Sequence, residues 1–279
     1  MKTMEKWKEE LQAVREDDWR LPKEVKADAY ALELYDLLGE LDSELRDDLA
    51  LSLITRLTEG EKLSKDTCRE LLARSQRDGI FARIEEAEGN GIFKRSFALL
   101  MIAVLVEDHV KSHRAWMRKD RFIELVENLV RYAEEEHDLR GYVVKYGWAH
   151  STAHLADVFT ELAACKELSG SQTKQIFHAI LKRMAVQDYV YIHGEDERMA
   201  KAACALIKHQ KIEFLDWEEI LVEEMTGIDD SLPGYLRVQK QENAKIFLRS
   251  LVARIQRVGL DQKWTFPVIS VLRNYDVKY

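Results

Sequence analysis

The sequence predicts an all-α protein: an α–α superhelix of antiparallel helical hairpins, HEAT-like or armadillo-like, forming a single repeat-like domain over 1–279. Three observations carry this expectation. Only three prolines and twelve glycines punctuate the 279 residues, and no Pro-rich or Ser/Gly-rich stretch reads as an interdomain linker. Apolar residues recur at three- and four-residue spacing along most of the chain. Helix starts are spaced about 21 to 29 residues apart, or about 45 to 50 per helical pair, which is the spacing of such repeats. The competing architecture is a non-repeating helical bundle.

A first helix is predicted over 4–15. Pro22, favoured in a first turn, opens a second that runs to Leu38 and buries Ala29, Leu32, Leu34, Tyr35 and Leu38. Asp42 and Ser43 cap a third carrying Leu45, Leu49, Leu53, Ile54 and Leu57, and Ser64 caps a fourth with Leu71 and Leu72 inside. Asp78-Gly79 and Gly89-Asn90-Gly91 bracket a less regular insertion before the most apolar helix, 94–108, which belongs in the middle of the core. Its uncharged stretch 97–106 has ten residues, about half of what a bilayer span needs.

A helix over 119–136 leads through a turn at 138–141 to the β-prone run Tyr142-Val143-Val144-Lys145-Tyr146, with Gly147 as a bend. The next helix covers the motif Gly147 to Asp157 and extends to Cys165. Ser169-Gly170-Ser171 separates it from a helix over 173–186, and an aromatic turn, Tyr189 to Gly194, follows. Glu195-Asp196-Glu197-Arg198 opens another helix, its acidic residues facing the positive end of the helix dipole, with Met199, Ala202, Ala203, Leu206 and Ile207 packing inward. Asp216 caps one more, and two further helices end near Tyr275.

Composition narrows function. The 42 basic and 50 acidic residues leave a net charge of −8, a field that repels polyanions and anionic membranes, so nucleic acid and membrane partners are disfavoured. The N-terminus has no apolar signal core, and a cytoplasmic location is expected. Cys68, Cys165 and Cys204 are odd in number and contain no CxxC pair, which argues against a disulfide framework or thiolate zinc site and marks Cys165 and Cys204 as buried small hydrophobes.

The most chemically loaded segment is Gly147-Trp148-Ala149-His150-Ser151-Thr152-Ala153-His154-Leu155-Ala156-Asp157. Read as the opening of a helix, it aligns His150, His154 and Asp157 on one face, a spacing suited to a divalent metal. An HExxH metallopeptidase needs Glu after the first histidine, and Ser151 stands there. The competing reading has one or both histidines hydrogen-bonded to neighbouring backbone or side chains while Trp148 fills the core. Glu195, Asp196, Glu197 and Arg198 form a second candidate set, with Tyr189, Tyr191 and His193 as an aromatic wall; their alternative role is to cap a helix and tie it to a neighbour. Arg95 and the run Lys111, His113, Arg114, Arg118, Lys119 and Arg121 are anion-binding candidates, although the run reads first as a solvated turn. No Gly-rich phosphate loop, GxSxG elbow or Cys-His nucleophile pair is present.

With Arg95-Ser96-Phe97, the Gly147 to Asp157 run and Glu195 to Arg198 in view, the chain resembles a bacterial family of uncharacterised all-helical proteins, the domain of unknown function numbered 2785. The likeness covers most of the chain, and the GWAH-x-x-AH-x-AD run is its most specific part. The family pattern often has glycine where Leu155 stands, a departure that bears on close backbone approach there. The resemblance implies that the motif residues act together and assigns no activity.

Three functions follow as expectations. One is a helical-repeat protein binding a small molecule or peptide in a concave groove lined by Trp148, His150, His154 and Asp157, with Arg95, Tyr191, Glu195, Asp196 and Arg198 contributing. Another is a metal-dependent or acid–base hydrolase using the same histidines and carboxylates. The third is a scaffold in which these residues are core.

Overall fold

The computed structural model describes residues 2–86, 88–111, 115–226 and 232–275. These residues form twelve α-helices and one two-stranded hairpin, so the chain is mostly helical. It divides into two compact units, each discontinuous in sequence: Met1–Arg118 with Glu136–His154, and Lys119–Glu135 with Leu155–Tyr279.

The first unit holds α1 (Met4–Glu16), α2 (Ala27–Asp36), α3 (Ser52–Glu59), α4 (Lys65–Arg74) and α5 (Gly91–Lys111). α5 is its axis, packed by α3, α4 and the short turns Leu37–Gly39 and Ser75–Gly79. Ile92, Phe93, Phe97, Leu99, Met101, Ile102, Leu105 and Val106 are buried on nearly every side of α5. A helix apolar all round has no stripe to offer water, and its place at the centre follows from that.

Local signals explain most boundaries. Thr3 caps α1 by accepting from the Lys6 N–H, and Ser64 caps α4 by accepting from the Thr67 N–H at 3.2 Å. Asp42 accepts the Leu45 N–H at 3.1 Å ahead of Glu44–Leu51, whose turns are wider than α-helical before α3 restores regular pitch. Pro22 corrects the sequence reading. Its carbonyl closes a turn with the Val25 N–H at 2.9 Å, and α2 begins only at Ala27. Residues 22–24 and 26 are exposed, so helix there would bury nothing.

The second unit holds α6 (Lys119–Glu135), most of α7 (Ser151–Ala164), α8 (Gly170–Met184), α9 (Glu195–Lys208), α10 (Phe214–Thr226), α11 (Gly234–Arg257) and α12 (Thr265–Leu272). Alternate helices are neighbours: α6 packs on α8, α8 on α10, α10 on α12, and α9 along α11. α8 starts earlier than its apolar pattern suggests because Ser169 and Gln172 form a capping box that satisfies two backbone donors. α10 starts at Phe214, so Asp216 lies in its first turn rather than at its cap and pairs with Lys174 at 2.7 Å.

All three cysteines are buried thiols, as the sequence suggested for Cys165 and Cys204. Burial pushes the Cys165 and Cys204 thiols up to about 12. Among the described residues, no helix is long and apolar enough to cross a membrane.

Candidate functional site

The Gly147 to Asp157 segment is not helical throughout. Gly147–Trp148 forms a strand, β2, antiparallel to β1 (Tyr142–Val143), with Tyr142 opposite Trp148 and Val143 opposite Gly147. The Tyr146 N–H donates to the Val143 carbonyl at 3.0 Å to close the turn, and Lys145 and Gly147 take φ of 82° and 81°. Gly147 is demanded twice, since a Cβ there would also stand 2.9 Å from the Ser43 Cβ.

His150 itself is left-handed at φ 40° and serves as the corner before α7. Its N–H donates to the Arg140 carbonyl at 3.0 Å, and its carbonyl accepts the His154 N–H at 3.1 Å. Ideal helical spacing therefore begins one residue after the first histidine.

Both imidazoles are buried, at 6% and 5% exposure for His150 and His154. The His154 Nδ1 lies 3.1 Å from the Ser96 carbonyl. A carbonyl only accepts, which assigns the Nδ1–H tautomer. The His154 ring meets Phe97 edge-on at 5.7 Å, and the His150 ring stacks on Trp148 at 4.7 Å. Trp148 is the motif member of this unit that reaches solvent, 38% exposed and edge-to-face with Tyr142 at 5.1 Å.

Arg95 lies on α5 with a fully buried guanidinium. Its Nε and Nη2 donate to Glu136 at 2.6 and 2.8 Å, a two-point ion pair, while Nη1 donates to the carbonyls of Ala82 and Arg83, both at 3.0 Å. Glu136 also accepts the Asp138 N–H at 2.9 Å. Asp138 in turn grips Arg140 through its Nε at 2.8 Å, and the Asp138 carbonyl accepts from the Ser151 hydroxyl at 2.9 Å. The hydrogen bond that Arg140 donates to the Asp138 carboxylate raises the Arg140 pKa above its ordinary value.

Arg46 completes the arrangement. It donates to the Glu40 carbonyl at 2.6 Å and the Tyr146 carbonyl at 2.9 Å, with the Phe93 and Phe97 rings 4.7 and 4.5 Å from its guanidinium carbon. Burial pulls its pKa down to about 10. The excursion Glu136–His154 is thus clasped at its start by Arg95, in its turn by Arg46 and at its end by the carbonyl of Ser96. Consecutive residues of α5 hold both ends.

The remaining predicted residues lie in the second unit, where each has a structural partner. Asp157 on α7 pairs with Arg198 on α9, and Asp196 accepts from the Ser250 hydroxyl on α11. Glu195, 1% exposed, accepts the His193 N–H at 2.8 Å at the head of α9. Tyr191 is buried, its N–H donating to Asn243 at 3.0 Å and its hydroxyl to the Arg183 carbonyl at 3.1 Å. Asn243 further donates to the carbonyls of Val186 and Tyr189, at 3.0 and 2.7 Å, and so orders the whole aromatic turn.

Among the described residues, no group of three or more His, Cys, Asp or Glu side chains is placed to hold a metal ion. Of the basic run, His113 and Arg114 lie outside the described residues, while Lys111 and Arg121 pair with Glu107 and Glu124 on their own helices. Sequence reasoning missed Glu136, Asp138 and Tyr142 as parts of the arrangement. The alternation Glu136, Asp138, Arg140 just ahead of the motif was the available signal. It also missed a cleft of about 240 Å³ in the first unit, lined by Glu59, Glu61, Val104, Glu107, Asp108 and Lys111.

These features define a mostly helical protein in which a buried ionic clasp presents an aromatic hairpin ahead of α7. The chain belongs to the DUF2785 family, proteins of unknown function, whose model matches residues 80–253 and so encloses the Arg95–Glu136 pair, the hairpin and the head of α9. No curated protein and no solved structure matches the chain.

Proposed function

We propose that this is a helical binding protein that receives a small molecule or a peptide side chain on the aromatic face of the β1–β2 hairpin, with its helices stacked as an α–α superhelix. The observation that carries the binding reading is the exposure of Tyr142, Val144 and Trp148, at 52%, 84% and 38%, in a segment otherwise fastened into the core. Exposed aromatic rings on a fixed base offer contact area at little entropic cost on binding. His150 is that base, lying flat against Trp148 at 4.7 Å. The alternate-neighbour order of α6, α8, α10 and α12 supports the superhelical reading, because stacked helical pairs produce such an order.

A hydrolase using the same residues would need substrate to reach His150 or His154, and both are buried. The hydrogen bond of the His154 ring and the ring contacts of both support the scaffold role for the histidines, with recognition left to Trp148 and Tyr142.

The test is a ligand and peptide screen by thermal shift, followed by titration of hits against wild type, Trp148→Ala and Tyr142→Ala with helicity monitored. Loss of one stacked ring weakens affinity about tenfold. Hits that bind Trp148→Ala as tightly as wild type would overturn the assignment.

A further inference from the structure

Lys94, on the first turns of α5, has an environment that neither the clasp nor the hairpin uses. Its side chain is half-buried. Its stem lies along Gly39, where a Cβ would come within 3.1 Å of Lys94 Cδ and 3.2 Å of its Cβ, so glycine there leaves a slot for the lysine. At the end of the slot Nζ donates to the Tyr35 carbonyl at 2.8 Å and sits 3.9 Å from the centre of the Tyr35 ring. Among the described residues no carboxylate forms an ion pair with it.

We propose that Lys94 is an acyl-acceptor site that takes a small acyl group from thioester donors. In the step, the uncharged Nζ attacks the thioester carbonyl carbon. A C–N bond forms, the C–S bond breaks, the thiolate leaves, and one amine proton passes to solvent. No oxidant or reductant is needed.

The slot favours the product. An ammonium there is desolvated with one carbonyl and one ring for company, whereas an amide has no charge to desolvate and keeps an N–H for the Tyr35 carbonyl. Burial, the largest influence, lowers the Lys94 pKa to about 8; Asp36, Asp78 and Glu40 oppose the shift and Arg74 adds to it. The reactive neutral amine is therefore populated near pH 7.5, where an ordinary lysine is almost wholly protonated.

The full chain is incubated with an acetyl thioester at pH 7.5 and acylation is followed at each lysine by peptide mass spectrometry. Lys94 is expected to react about tenfold faster than the exposed Lys23 and Lys62, less than the gain in neutral amine alone because a weaker base is a weaker nucleophile. Its rate should level off above about pH 8 while theirs keep rising. A Lys94 rate at or below theirs at pH 7.5 overturns the proposal. The acetylated protein should melt no lower than the unmodified one, and a lower midpoint overturns the claim that the slot favours the amide.

Discussion

Replacing Arg95 with alanine strips the cation from a carboxylate that has no exposed surface. Arg95 and Glu136 are each 0% exposed at the side chain and meet through two hydrogen bonds of 2.6 and 2.8 Å. Breaking a buried pair from one side leaves an uncompensated charge and costs about 3–5 kcal/mol. Arg95→Ala also orphans the Ala82 and Arg83 carbonyls, although these are partly offset by whatever water enters the space. Arg95→Lys keeps the charge but loses the fork and should cost about 1–2 kcal/mol. The double variant Arg95→Met, Glu136→Leu removes both charges and should recover part of the loss, leaving the Asp138 N–H and the two carbonyls as the residual penalty. Urea unfolding measures the totals, and amide exchange locates them: the loss should appear as faster exchange across 136–154 and the first turns of α5. An Arg95→Ala loss below about 1 kcal/mol would refute the clasp as an energetic element.

Three further outcomes follow from particular contacts. Gly147→Ala must accept φ of 81° and a Cβ within 2.9 Å of the Ser43 Cβ, so a loss of about 2 kcal/mol in urea unfolding is expected, against little effect at Gly170, where added bulk meets nothing. Lys94→Met removes a charge whose folded pKa of about 8 lies below the ordinary 10.5. Between those values the unfolded chain binds more protons, so wild-type stability should rise with pH across that window, and below it the burial penalty is felt in full. The variant should therefore gain about 1–2 kcal/mol at pH 7 and show a flatter pH profile between 8 and 10.5, as read by denaturation at each pH. The buried thiols of Cys68, Cys165 and Cys204 should resist a thiol reagent in native buffer and react only as the protein unfolds; rapid native labelling would contradict their burial.

Much of the candidate site was visible in the sequence as residue types, and little of it as geometry. Trp148, His150 and His154 stood out because two imidazoles and an indole crowd a short stretch. The burial of the two histidines and the partners of His154 did not, since Ser96 and Phe97 come from a segment remote in sequence. The helical reading of Gly147 to His150 failed because the pattern that marks a helix continues smoothly into the motif, while two left-handed residues and a strand pairing interrupt it.

By itself, the sequence determined the helical class, the order of the helices, the central place of α5 and the cap at Ser64. Each of these depends on residues within one or two turns of each other, where apolar period and side-chain capping act directly on the backbone. Only the tertiary structure decided that Arg95 meets Glu136 across 41 residues, and that the chain folds as two interleaved units. The chain passes from one unit to the other after Arg118, after Glu135 and again within α7. No linker composition marks the crossing within α7, because a helix that belongs to two units needs the same helix-forming residues throughout. The long-range pairs depend on which buried charges and carbonyls remain to be satisfied once the helices have packed, a condition that no local stretch of sequence specifies.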